Sequence, residues 1–483
     1  MMIAQLIRRL PASTRVVGDS DRDVSGITSD SRRVTPGALF VAVPGEHSDG
    51  HAYLDAAIHN GATAVVVEEA RALDVPEHVT SLAVPDTRRA LSSLAATFYG
   101  DPSHTVDVLG VTGTNGKTTT TRMIASIVET SGRPCGVIGT VGAHFRDRDW
   151  TLEHTTPMPP ELHGLLAQMR DLGAWAVAME VSSHALALDR VEDVRFKVAA
   201  LTNITRDHLD FHQTLEAYAA AKHRLFTMAQ AGVLNVDDEH GARWLGEVRR
   251  RMPVLSYSLR GNADIVATHI EPEATGSTFT VDGVAMRVHL PGLFNVANAL
   301  AAIGVARALG LDLQICAQGL DALAAVPGRM QNVGGSDINV VVDYSHTPDS
   351  LENALIALRE TTGRRLAVVF GCGGDRDRGK RPEMGRIAAV YADRIYVTSD
   401  NPRSESPAAI VADIEGGIGA HPHVIEIDRR RAIERAITES APGDVVLIAG
   451  KGHETYQIIG DQTLPFDDAE VAREALIARG VRA

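Results

Sequence analysis

The chain has few cysteines, and none is placed where a disulfide framework or a zinc site would need it. Only three occur in 483 residues, Cys135, Cys316 and Cys372, and they form no CxxC pair. Disulfide-stabilised secreted domains and structural zinc sites both depend on regularly spaced cysteines. The sequence therefore indicates neither class and favours a reducing compartment, which we expect to be the cytoplasm.

Long hydrophobic runs and an excess of positive charge are also missing. No run approaches the roughly 18 residues of a membrane span, and the start, MMIAQLIRRLPAST, lacks the long apolar region of a signal peptide. The chain has 47 Lys and Arg against 61 Asp and Glu, a formal net charge of −14. We therefore expect no membrane span and no nonspecific binding to nucleic acid or to an anionic membrane surface.

The length is too great for one core and predicts about two to four domains. Forty-four per cent hydrophobic and 22% charged residues are typical of a folded globular protein. Boundary signals at 100–103 and 328–330 divide the chain into three expected α/β domains. These domains cover residues 1–103, 104–328 and 329–483.

Strand and helix patterns give each domain an expected architecture. The first shows short strands at 26–29, 38–43, 64–67 and 81–84, typical of a small α/β domain. The second alternates strands and helices like a P-loop ATPase with a parallel sheet, and residues 253–290 suggest an antiparallel extension. The third restarts the alternation, with strands at 339–343, 366–370, 394–398, 424–427 and 445–449, and is Rossmann-like without a GxGxxG fingerprint.

The motif with the clearest chemistry is the stretch VDVLGVTGTNGKTTTT, at 106–121. A buried strand runs through a glycine-rich turn into a helix, so backbone N–H groups and the helix dipole converge on one point. Lys117 adds a full charge, and Thr118 offers a hydroxyl to Mg²⁺. The loop is a variant of the P-loop pattern, because Val111 stands where that pattern has its first glycine. It predicts a phosphate site.

Polar residues follow the next two buried runs of the second domain. Glu180 ends one run in MEVSSH, and His208 follows the other in TRDHLD. In a doubly wound sheet, ligands bind beyond the carboxyl ends of the strands, so both side chains should converge with the phosphate loop. We predict both as metal ligands. By chemistry alone, Lys222 in an Ala-rich turn is a solvated surface lysine.

Two loops of the first domain, at 28–32 and 45–51, carry small hydroxyls and backbone amides that suit a nucleotide. Ordinary loops contain the same groups, so the residues alone leave both interpretations open. In the third domain four strand ends carry polar loops: DYSH, GCGGDR, DNPR and GKGHE. Four such loops along one edge suggest a binding face.

With these motifs in this order, the chain resembles the Mur ligases of peptidoglycan synthesis, along its whole length. The motifs that carry the resemblance are GTNGKTTT, MEVSSH, TRDHLD, AAKHRLF, GRMQ, DYSHTP, FGCGGDRDRGKRP, DNPR and AGKGHE. The resemblance implies an ATP-dependent ligase that adds meso-2,6-diaminopimelate to the D-glutamyl carboxylate of UDP-N-acetylmuramoyl-L-alanyl-D-glutamate. It implies that the three domains hold the UDP-sugar, ATP and the amino acid in that order, and we expect a monomer.

The resemblance also implies site residues. For ATP they are Gly113, Thr114, Asn115, Gly116, Lys117, Thr118, Thr119, Asn298, Arg329 and Asp343. For the UDP-muramoyl-dipeptide they are Ser29, Ser31, Glu46, His47, Ser48, Thr155, Thr156, Ser182 and Arg190. For diaminopimelate they are Arg376, Asp400, Asn401, Pro402, Arg403, Gly450 and Glu454. Leu188 stands where the family often has glutamine, and leucine cannot form the hydrogen bond to the substrate that glutamine would form.

The resemblance further implies that Lys222 is carbamylated by CO₂. A carbamate carries a carboxylate-like charge and would join Thr118, Glu180 and His208 in holding Mg²⁺. The expected catalytic residues are Lys117, Glu180, His208 and Lys222.

The arginine that closes DNPR carries the prediction of the amino acid. Members of the family that add diaminopimelate have this arginine, whereas members that add lysine generally lack it. Diaminopimelate differs from lysine by a second carboxylate, which a guanidinium binds with two hydrogen bonds. Arg403 is therefore expected to bind that carboxylate and to reject lysine roughly a thousandfold. Glu454 suits the distal ammonium.

Two alternatives remain open from the sequence. A sister ligase such as folylpolyglutamate synthase also joins an amino acid to a carboxylate with ATP, but that class lacks a UDP-sugar domain. A nucleotide-dependent switch protein would keep the phosphate loop without any ligation. It would leave the DNPR and GHE loops without a purpose.

Overall fold

The computed structural model describes residues 1–45, 48–71, 75–273, 275–335 and 337–480. Within them, α/β units follow one another along the chain, as predicted. None of the helices in this described part combines the length and apolar character that a bilayer crossing requires.

The first unit is a five-stranded sheet in the order β1-β5-β4-β3-β2, in which only β1 is antiparallel to its neighbour. Its strands are β1 (Arg15–Val17), β2 (Gly26–Thr28), β3 (Ala38–Val41), β4 (Ala64–Glu68) and β5 (Thr80–Val84). Its helices are α1 (Ile3–Leu6), α2 (Leu54–His59) and α3 (Thr87–Phe98). The four predicted strands are confirmed, since each is a short apolar run between turn residues.

The second unit is built on a nine-stranded sheet in the order β14-β13-β12-β11-β6-β10-β7-β8-β9. The strands are β6 (Asp107–Thr112), β7 (Cys135–Gly139), β8 (Gly142–Phe145), β9 (Arg148–Trp150), β10 (Ala176–Glu180), β11 (Phe196–Leu201), β12 (Ala229–Asn235), β13 (Val254–Ser258) and β14 (Ile265–Val266). The helices are α4 (Lys117–Thr130), α5 (Pro159–Asp171), α6 (Ser183–Ala187), α7 (Leu209–His212), α8 (Leu215–His223), α9 (Glu239–Arg249), α10 (Leu293–Ala308) and α11 (Leu313–Ala322). Strand β6 lies between β10 and β11, so the predicted site residues leave neighbouring parallel strands at one edge.

The predicted antiparallel extension over 253–290 is only partly right. Strands β13 and β14 pair parallel to the main sheet. A separate antiparallel sheet follows, formed by β15 (Thr268–Glu273), β16 (Gly276–Val281) and β17 (Val284–Val288). Alternation of apolar and polar residues marks a strand with one solvated face but does not say which neighbour it pairs with.

The third unit is a six-stranded sheet in the order β18-β19-β23-β20-β21-β22, in which only the edge strand β18 is antiparallel. Its strands are β18 (Gln331–Gly334), β19 (Asn339–Asp343), β20 (Leu366–Phe370), β21 (Arg394–Val397), β22 (His423–Ile425) and β23 (Val445–Ala449), followed by a hairpin of β24 (Tyr456–Ile459) and β25 (Gln462–Pro465). Its helices are α12 (Pro348–Thr361), α13 (Lys380–Tyr391), α14 (Pro407–Ile418), α15 (Arg429–Glu439) and α16 (Asp468–Ala478). The five predicted strands are confirmed, whereas β18 and the hairpin were not predicted.

A buried histidine in α5 makes the stability of the fold sensitive to acid. His163 is fully buried, and neither ring nitrogen has a hydrogen-bond partner among the described residues. Burial lowers the pKa of His163 to about 4, whereas an unfolded histidine titrates near about 6.5. The folded state therefore binds fewer protons below pH 6.5, and stability falls as the pH drops from there toward 4.

We expect His163→Leu to raise the free energy of unfolding by about 1–3 kcal/mol at pH 7, because two buried polar atoms without partners are removed. At pH 5 the gain should grow by about 2 kcal/mol, because the proton uptake of the unfolded histidine is also removed. Urea unfolding at both pH values measures this. The exposed His59→Gln is the control, and a gain that does not change with pH would contradict the assignment.

Candidate active site

The phosphate loop lies between β6 and α4, as the sequence predicts. Gly116 precedes the helix in a left-handed conformation, with φ of 84°, and a Cβ at this position would overlap the amide oxygen of Asn298. Only glycine therefore fits here. Lys117 bends over the loop, and its Nζ donates to the carbonyl oxygens of Gly113 at 2.9 Å and Thr114 at 2.7 Å. Burial lowers the pKa of Lys117, and the nearby Glu180 opposes that shift.

A cavity of about 420 Å³ opens beside this loop. Its walls come from the second and third units, and none of the described residues of the first unit lines it. The predicted site residues among them are Thr114, Asn115, Gly116, Lys117, Thr118, Thr119, Thr155, Glu180, Ser182, His208, Asn298, Arg329 and Asp343. The structure thus brings together residues that are more than 200 positions apart in the chain.

Glu180 ends β10 at the floor of the cavity, and only 1% of its surface is exposed. Its Oε1 accepts a hydrogen bond from the backbone N–H of Thr140 at 2.8 Å, and its Oε2 accepts one from the Thr140 hydroxyl at 3.0 Å. The residue is therefore held in one orientation by a neighbour that the sequence analysis did not identify.

Residues predicted for the muramoyl-dipeptide lie around Glu180. The Thr156 hydroxyl donates to the Glu180 carbonyl at 2.9 Å and accepts from the backbone N–H of Ser182 at 3.0 Å. Arg190 Nη1 donates to the Thr156 carbonyl at 3.2 Å. The Thr155 hydroxyl lies 3.1 Å from that of Thr140. These four residues form one polar wall, of which Thr155 and Ser182 line the cavity and Thr156 and Arg190 lie behind them.

His208 lies at the start of α7 in a left-handed conformation, with φ of 53°. Its ring packs edge to face on His184, 4.7 Å between centroids, and its Nε2 lies 3.4 Å from Asp207 Oδ2. Burial lowers the pKa of His208, although Asp207 opposes the shift. The imidazole therefore favours its neutral form, which is the form that binds metal.

Lys222 is 1% exposed and is not the surface lysine that its local sequence suggests. It lies beneath the phosphate loop, where its Nζ donates to the Gly113 carbonyl at 2.7 Å and lies 4.4 Å from the Tyr218 ring centroid. Burial lowers its pKa well below the ordinary value, and the charge of Lys117 lowers it further. The position therefore favours the neutral amine, which is the nucleophilic form of lysine.

The third unit closes the other side of the cavity. Arg329 Nη2 donates to the Thr118 hydroxyl at 3.0 Å, and its guanidinium lies 4.6 Å from the Tyr344 ring centroid. The carboxylate of Asp343 accepts from the backbone N–H of Met330 at 2.6 Å. Burial raises the pKa of Asp343, although a hydrogen bond from Ser345 opposes the shift. Two predicted nucleotide residues therefore approach the phosphate loop from a different sheet.

The residues predicted for diaminopimelate form a second group, outside this cavity, at the carboxyl ends of β20, β21 and β23. Arg403 has a φ of 52°, and its Nη1 donates to the Gly374 carbonyl at 2.9 Å. Arg376 is exposed and donates to the Asp375 carbonyl. Among the described residues, neither arginine forms an ion pair with a carboxylate.

The remaining members of this group pack against one another. A Cβ at Gly450 would lie 2.5 Å from Asp400 Oδ2, and Asn401 Nδ2 donates to Glu454 Oε2 at 2.8 Å. Pro402 is buried beside them. Arg376 and Arg403 both lie close to Gly373. The group therefore contains two guanidinium groups as well as the carboxylates of Asp400 and Glu454, which suits a ligand with both charges.

The predicted UDP-binding residues lie in the first unit, away from the cavity. Ser31 begins a short 3₁₀ turn, and its carbonyl accepts from Asn60 Nδ2 at 2.9 Å. Ser29 and Ser48 lie in loops after β2 and β3. Glu46 and His47 lie outside the described residues.

Three sequence models of one family match successive parts of the chain. They are "Mur ligase family, catalytic domain" over residues 23–99, "Mur ligase middle domain" over 111–306 and "Mur ligase, glutamate ligase domain" over 328–452. A UDP-N-acetylmuramoyl-L-alanyl-D-glutamate--2,6-diaminopimelate ligase from Syntrophomonas wolfei is 45% identical over 491 residues, which span 99% of each chain. The chain belongs to the Mur ligase family.

Two further relatives match more than nine-tenths of this chain and of their own length. A ligase of the same name from Chlorobaculum tepidum is 47% identical and covers 94% of this Mur ligase and 92% of its own length. A solved structure of a UDP-N-acetylmuramoyl-L-alanyl-D-glutamate--2,6-diaminopimelate ligase is 35% identical, with a TM-score of 0.71 and coverage of 99% of each chain. The expected family membership and fold class are thus confirmed.

Two buried or partly buried residues of this Mur ligase were not predicted from the sequence. One directly follows a motif named above, and the other lies within one. Asp349 follows DYSHTP at the start of α12, and its Oδ2 accepts from Asn115 Nδ2 of the phosphate loop at 2.7 Å. Lys451, in AGKGHE, is fully buried beside Asn401 and Glu454. The local signal is a charged residue in the first turn of a helix for Asp349, and a charged residue two positions beyond a strand end for Lys451.

Proposed function

We propose that this Mur ligase uses ATP to join meso-2,6-diaminopimelate to the D-glutamyl carboxylate of UDP-N-acetylmuramoyl-L-alanyl-D-glutamate in peptidoglycan precursor synthesis. The observation that carries the proposal is the pairing of two sites. One cavity combines the phosphate loop with the polar wall at Thr155 and Ser182, and the separate group around Arg403 and Glu454 suits a zwitterionic amino acid. The names and full-length coverage of the relatives support the same reaction.

In this proposal, residues 1–103 hold the UDP-sugar, 104–328 hold ATP and 329–483 hold the amino acid. Ser29, Ser31 and the loop at 46–48 would contact the uridine diphosphate. The muramoyl-dipeptide would lie along Thr155, Thr156, Ser182 and Arg190, with its glutamyl carboxylate toward the phosphate loop. ATP and a UDP-linked substrate both belong to the cytoplasm, where we place the enzyme as a monomer.

The reaction would proceed by phosphoryl transfer followed by amide formation. The glutamyl carboxylate attacks the γ-phosphorus of ATP, and ADP leaves, which gives an acyl phosphate. Lys117 and the N–H groups of residues 113–116 stabilise the charge on the transferred group. The amine of diaminopimelate then attacks the acyl carbon, and the tetrahedral intermediate loses phosphate to give the amide.

The residues near the loop fit Mg²⁺ bound mainly through substrate phosphates. Thr118 and Glu180 offer oxygen ligands beside Lys117, and the neutral His208 faces the same cavity. No group of three or more His, Cys, Asp or Glu able to form a closed cage is present in the described part of the chain. Mg²⁺ commonly keeps few protein ligands, and at this site it would neutralise the charge of the substrate phosphates.

We further propose that Lys222 carries the CO₂ adduct. Its amine is buried and favours the neutral form that adds to CO₂. As an ammonium it can only donate, as it does to the Gly113 carbonyl, whereas a carbamate oxygen beneath the loop would supply a further anionic ligand.

Arg403, the last residue of the DNPR motif, allows the identity of the amino-acid substrate to be tested. We expect Arg403→Ala to lower kcat/KM for meso-diaminopimelate roughly a hundredfold, because a charge-assisted pair with a carboxylate is lost. The measurement is amino-acid-dependent release of phosphate with ATP and UDP-N-acetylmuramoyl-L-alanyl-D-glutamate, comparing meso-diaminopimelate with L-lysine.

The control is Arg378→Ala, because Arg378 lies in the neighbouring loop and pairs with Asp413 at 3.1 Å. It should leave kcat/KM nearly unchanged. Equal use of lysine by the parent enzyme would keep the ligase and refute the choice of amino acid. Phosphate release that needs no amino acid would instead favour the switch protein, and release only with a folate and glutamate would favour a folylpolyglutamate synthase.

A further inference from the structure

Lysine is rare in this chain, and two of its five lysines are buried. Of 47 basic residues only five are lysines, namely Lys117, Lys197, Lys222, Lys380 and Lys451. Lys222 and Lys451 are almost completely inaccessible to solvent, at 1% and 0% exposure. Lys222 lies beneath the phosphate loop, but Lys451 lies in the third unit and does not line the cavity at that loop.

Lys451 is bonded to two residues predicted to bind the amino acid. Its Nζ donates to Asn401 Oδ1 at 3.0 Å and to Glu454 Oε2 at 3.2 Å. Asn401 Nδ2 in turn donates to the same Glu454 Oε2 at 2.8 Å. A third donor, the backbone N–H of Ile458, reaches Asn401 Oδ1 at 3.0 Å. The three side chains therefore form a closed triangle of hydrogen bonds.

This triangle allows only one orientation for each polar group. Two donors on Asn401 Oδ1 set which end of the amide faces Glu454, because a flipped amide would bring N–H groups against N–H donors. Two donors on Glu454 Oε2 likewise fix the carboxylate. Among the described residues, no donor bonds to the other oxygen, Oε1, and 17% of the Glu454 side chain remains exposed. One carboxylate oxygen is thus presented at a defined position.

We propose that Lys451 is a positioning residue that sets the selectivity of this site for an amino acid with a distal ammonium group, by holding Asn401 and Glu454 so that Glu454 Oε1 faces that ammonium. The proposal rests on the proposed ligase function. Lys451 itself does not touch the substrate, because its ammonium is fully enclosed and turned toward the two side chains.

The choice of lysine is difficult to explain by stability alone. Enclosing an ammonium is costly, and a well-packed apolar side chain of similar size is often as stable or more stable than a buried ion pair. Glu454 is partly exposed, so loss of Lys451 would not leave a fully buried unpaired carboxylate. A positioning role therefore predicts a functional loss without a loss of stability.

The test compares two amino acids in the parent enzyme and in Lys451→Met. One is meso-diaminopimelate, and the other is 2-aminopimelate, which keeps both carboxylates and lacks only the distal amine. We expect kcat/KM for meso-diaminopimelate to fall about 30-fold, mainly through KM, in line with the loss of a charged contact. The value for 2-aminopimelate should change less than threefold, and the KM values for ATP and the UDP-linked substrate should stay constant.

Three further measurements distinguish a positioning role of Lys451 from a merely structural one. The thermal midpoint of Lys451→Met should not fall below that of the parent, and Lys197→Met should behave like the parent. In a Glu454→Gln background, Lys451→Met should cause no additional change in the ratio of the two amino acids. If Lys451→Met does not fold, Lys451→Gln replaces it, because glutamine keeps one donor for Asn401 and removes the charge.

Equal losses with both amino acids would overturn the proposal, since a merely structural role damages the site for either substrate. An additive effect in the Glu454→Gln background would overturn it as well. A parent enzyme with no amino-acid-dependent release of phosphate would refute the ligase function itself and the proposal with it. That last result is distinct from the first two because it appears before any variant is made.

Discussion

Replacing Lys117 by methionine is expected to lower the turnover rate on the order of a thousandfold or more, because the side chain supplies a full positive charge to the transferring phosphoryl group in an enclosed site. Methionine keeps much of the length and the apolar stem of lysine. The groups that lose their donor are the backbone carbonyls of Gly113 and Thr114. No carboxylate is left unpaired, so the loop is expected to keep its conformation.

The thermal stability of Lys117→Met should not fall along with its activity. Burial disfavours the ammonium of Lys117 and lowers its pKa, so removing the charge should leave the thermal midpoint unchanged or raise it. The assay is steady-state formation of ADP together with an equilibrium titration of ATP affinity. Lys197→Met, on β11 and outside the cavity, is the matched control. Turnover within threefold of the parent would contradict the role given to Lys117.

The second large effect is expected at Lys222, where alanine should reduce turnover by on the order of a thousandfold. The proposed carbamate would contribute a negative charge beneath the phosphate loop, and neither alanine nor an unmodified lysine can supply it. Added formate or acetate should restore part of the activity of Lys222→Ala, because a small carboxylate fits the space that the shortened side chain leaves. The same additions should not help Lys117→Met.

The adduct can also be detected without an activity assay. Protein incubated with ¹³C-bicarbonate should show a carbamate carbon by NMR, and that signal should be absent from Lys222→Ala. Carbamates decompose in acid, so brief exposure to low pH without CO₂ should remove the signal and the activity together, and bicarbonate should restore both. Full activity in Lys222→Ala, or a carbamate signal that survives in it, would refute the proposal.

Much of the fold follows from local patterns. The strand at Asp107–Thr112, the glycine turn and the helix from Lys117 were predicted because each depends on residues only a few positions apart. The five predicted strands of the third unit agree for the same reason. The predicted antiparallel extension over 253–290 was wrong in its first half. Which strands pair, and in which direction, depends on the whole sheet and not on the local pattern of residues.

Site residues were predictable only where the neighbouring sequence indicates their chemical role. Glu180 and His208 follow buried strands, and the structure places both in the cavity. Lys222 was not predictable from its surroundings, because an Ala-rich helical turn carries no sign that its lysine points beneath another loop. Only the resemblance to a known family drew attention to it.

The sequence by itself determined the order of the units, the phosphate loop with the glycine at 116 that precedes its helix, and the arginine that closes DNPR. Only the tertiary structure decided that Asp349 bonds to Asn115 across two sheets, that Glu180 is fixed by Thr140 and that Lys451 is enclosed with Asn401 and Glu454. The physical reason is the sequence distance over which each kind of interaction acts. Backbone conformation responds to neighbours within a few residues, whereas burial and long-range hydrogen bonds depend on how distant surfaces pack together.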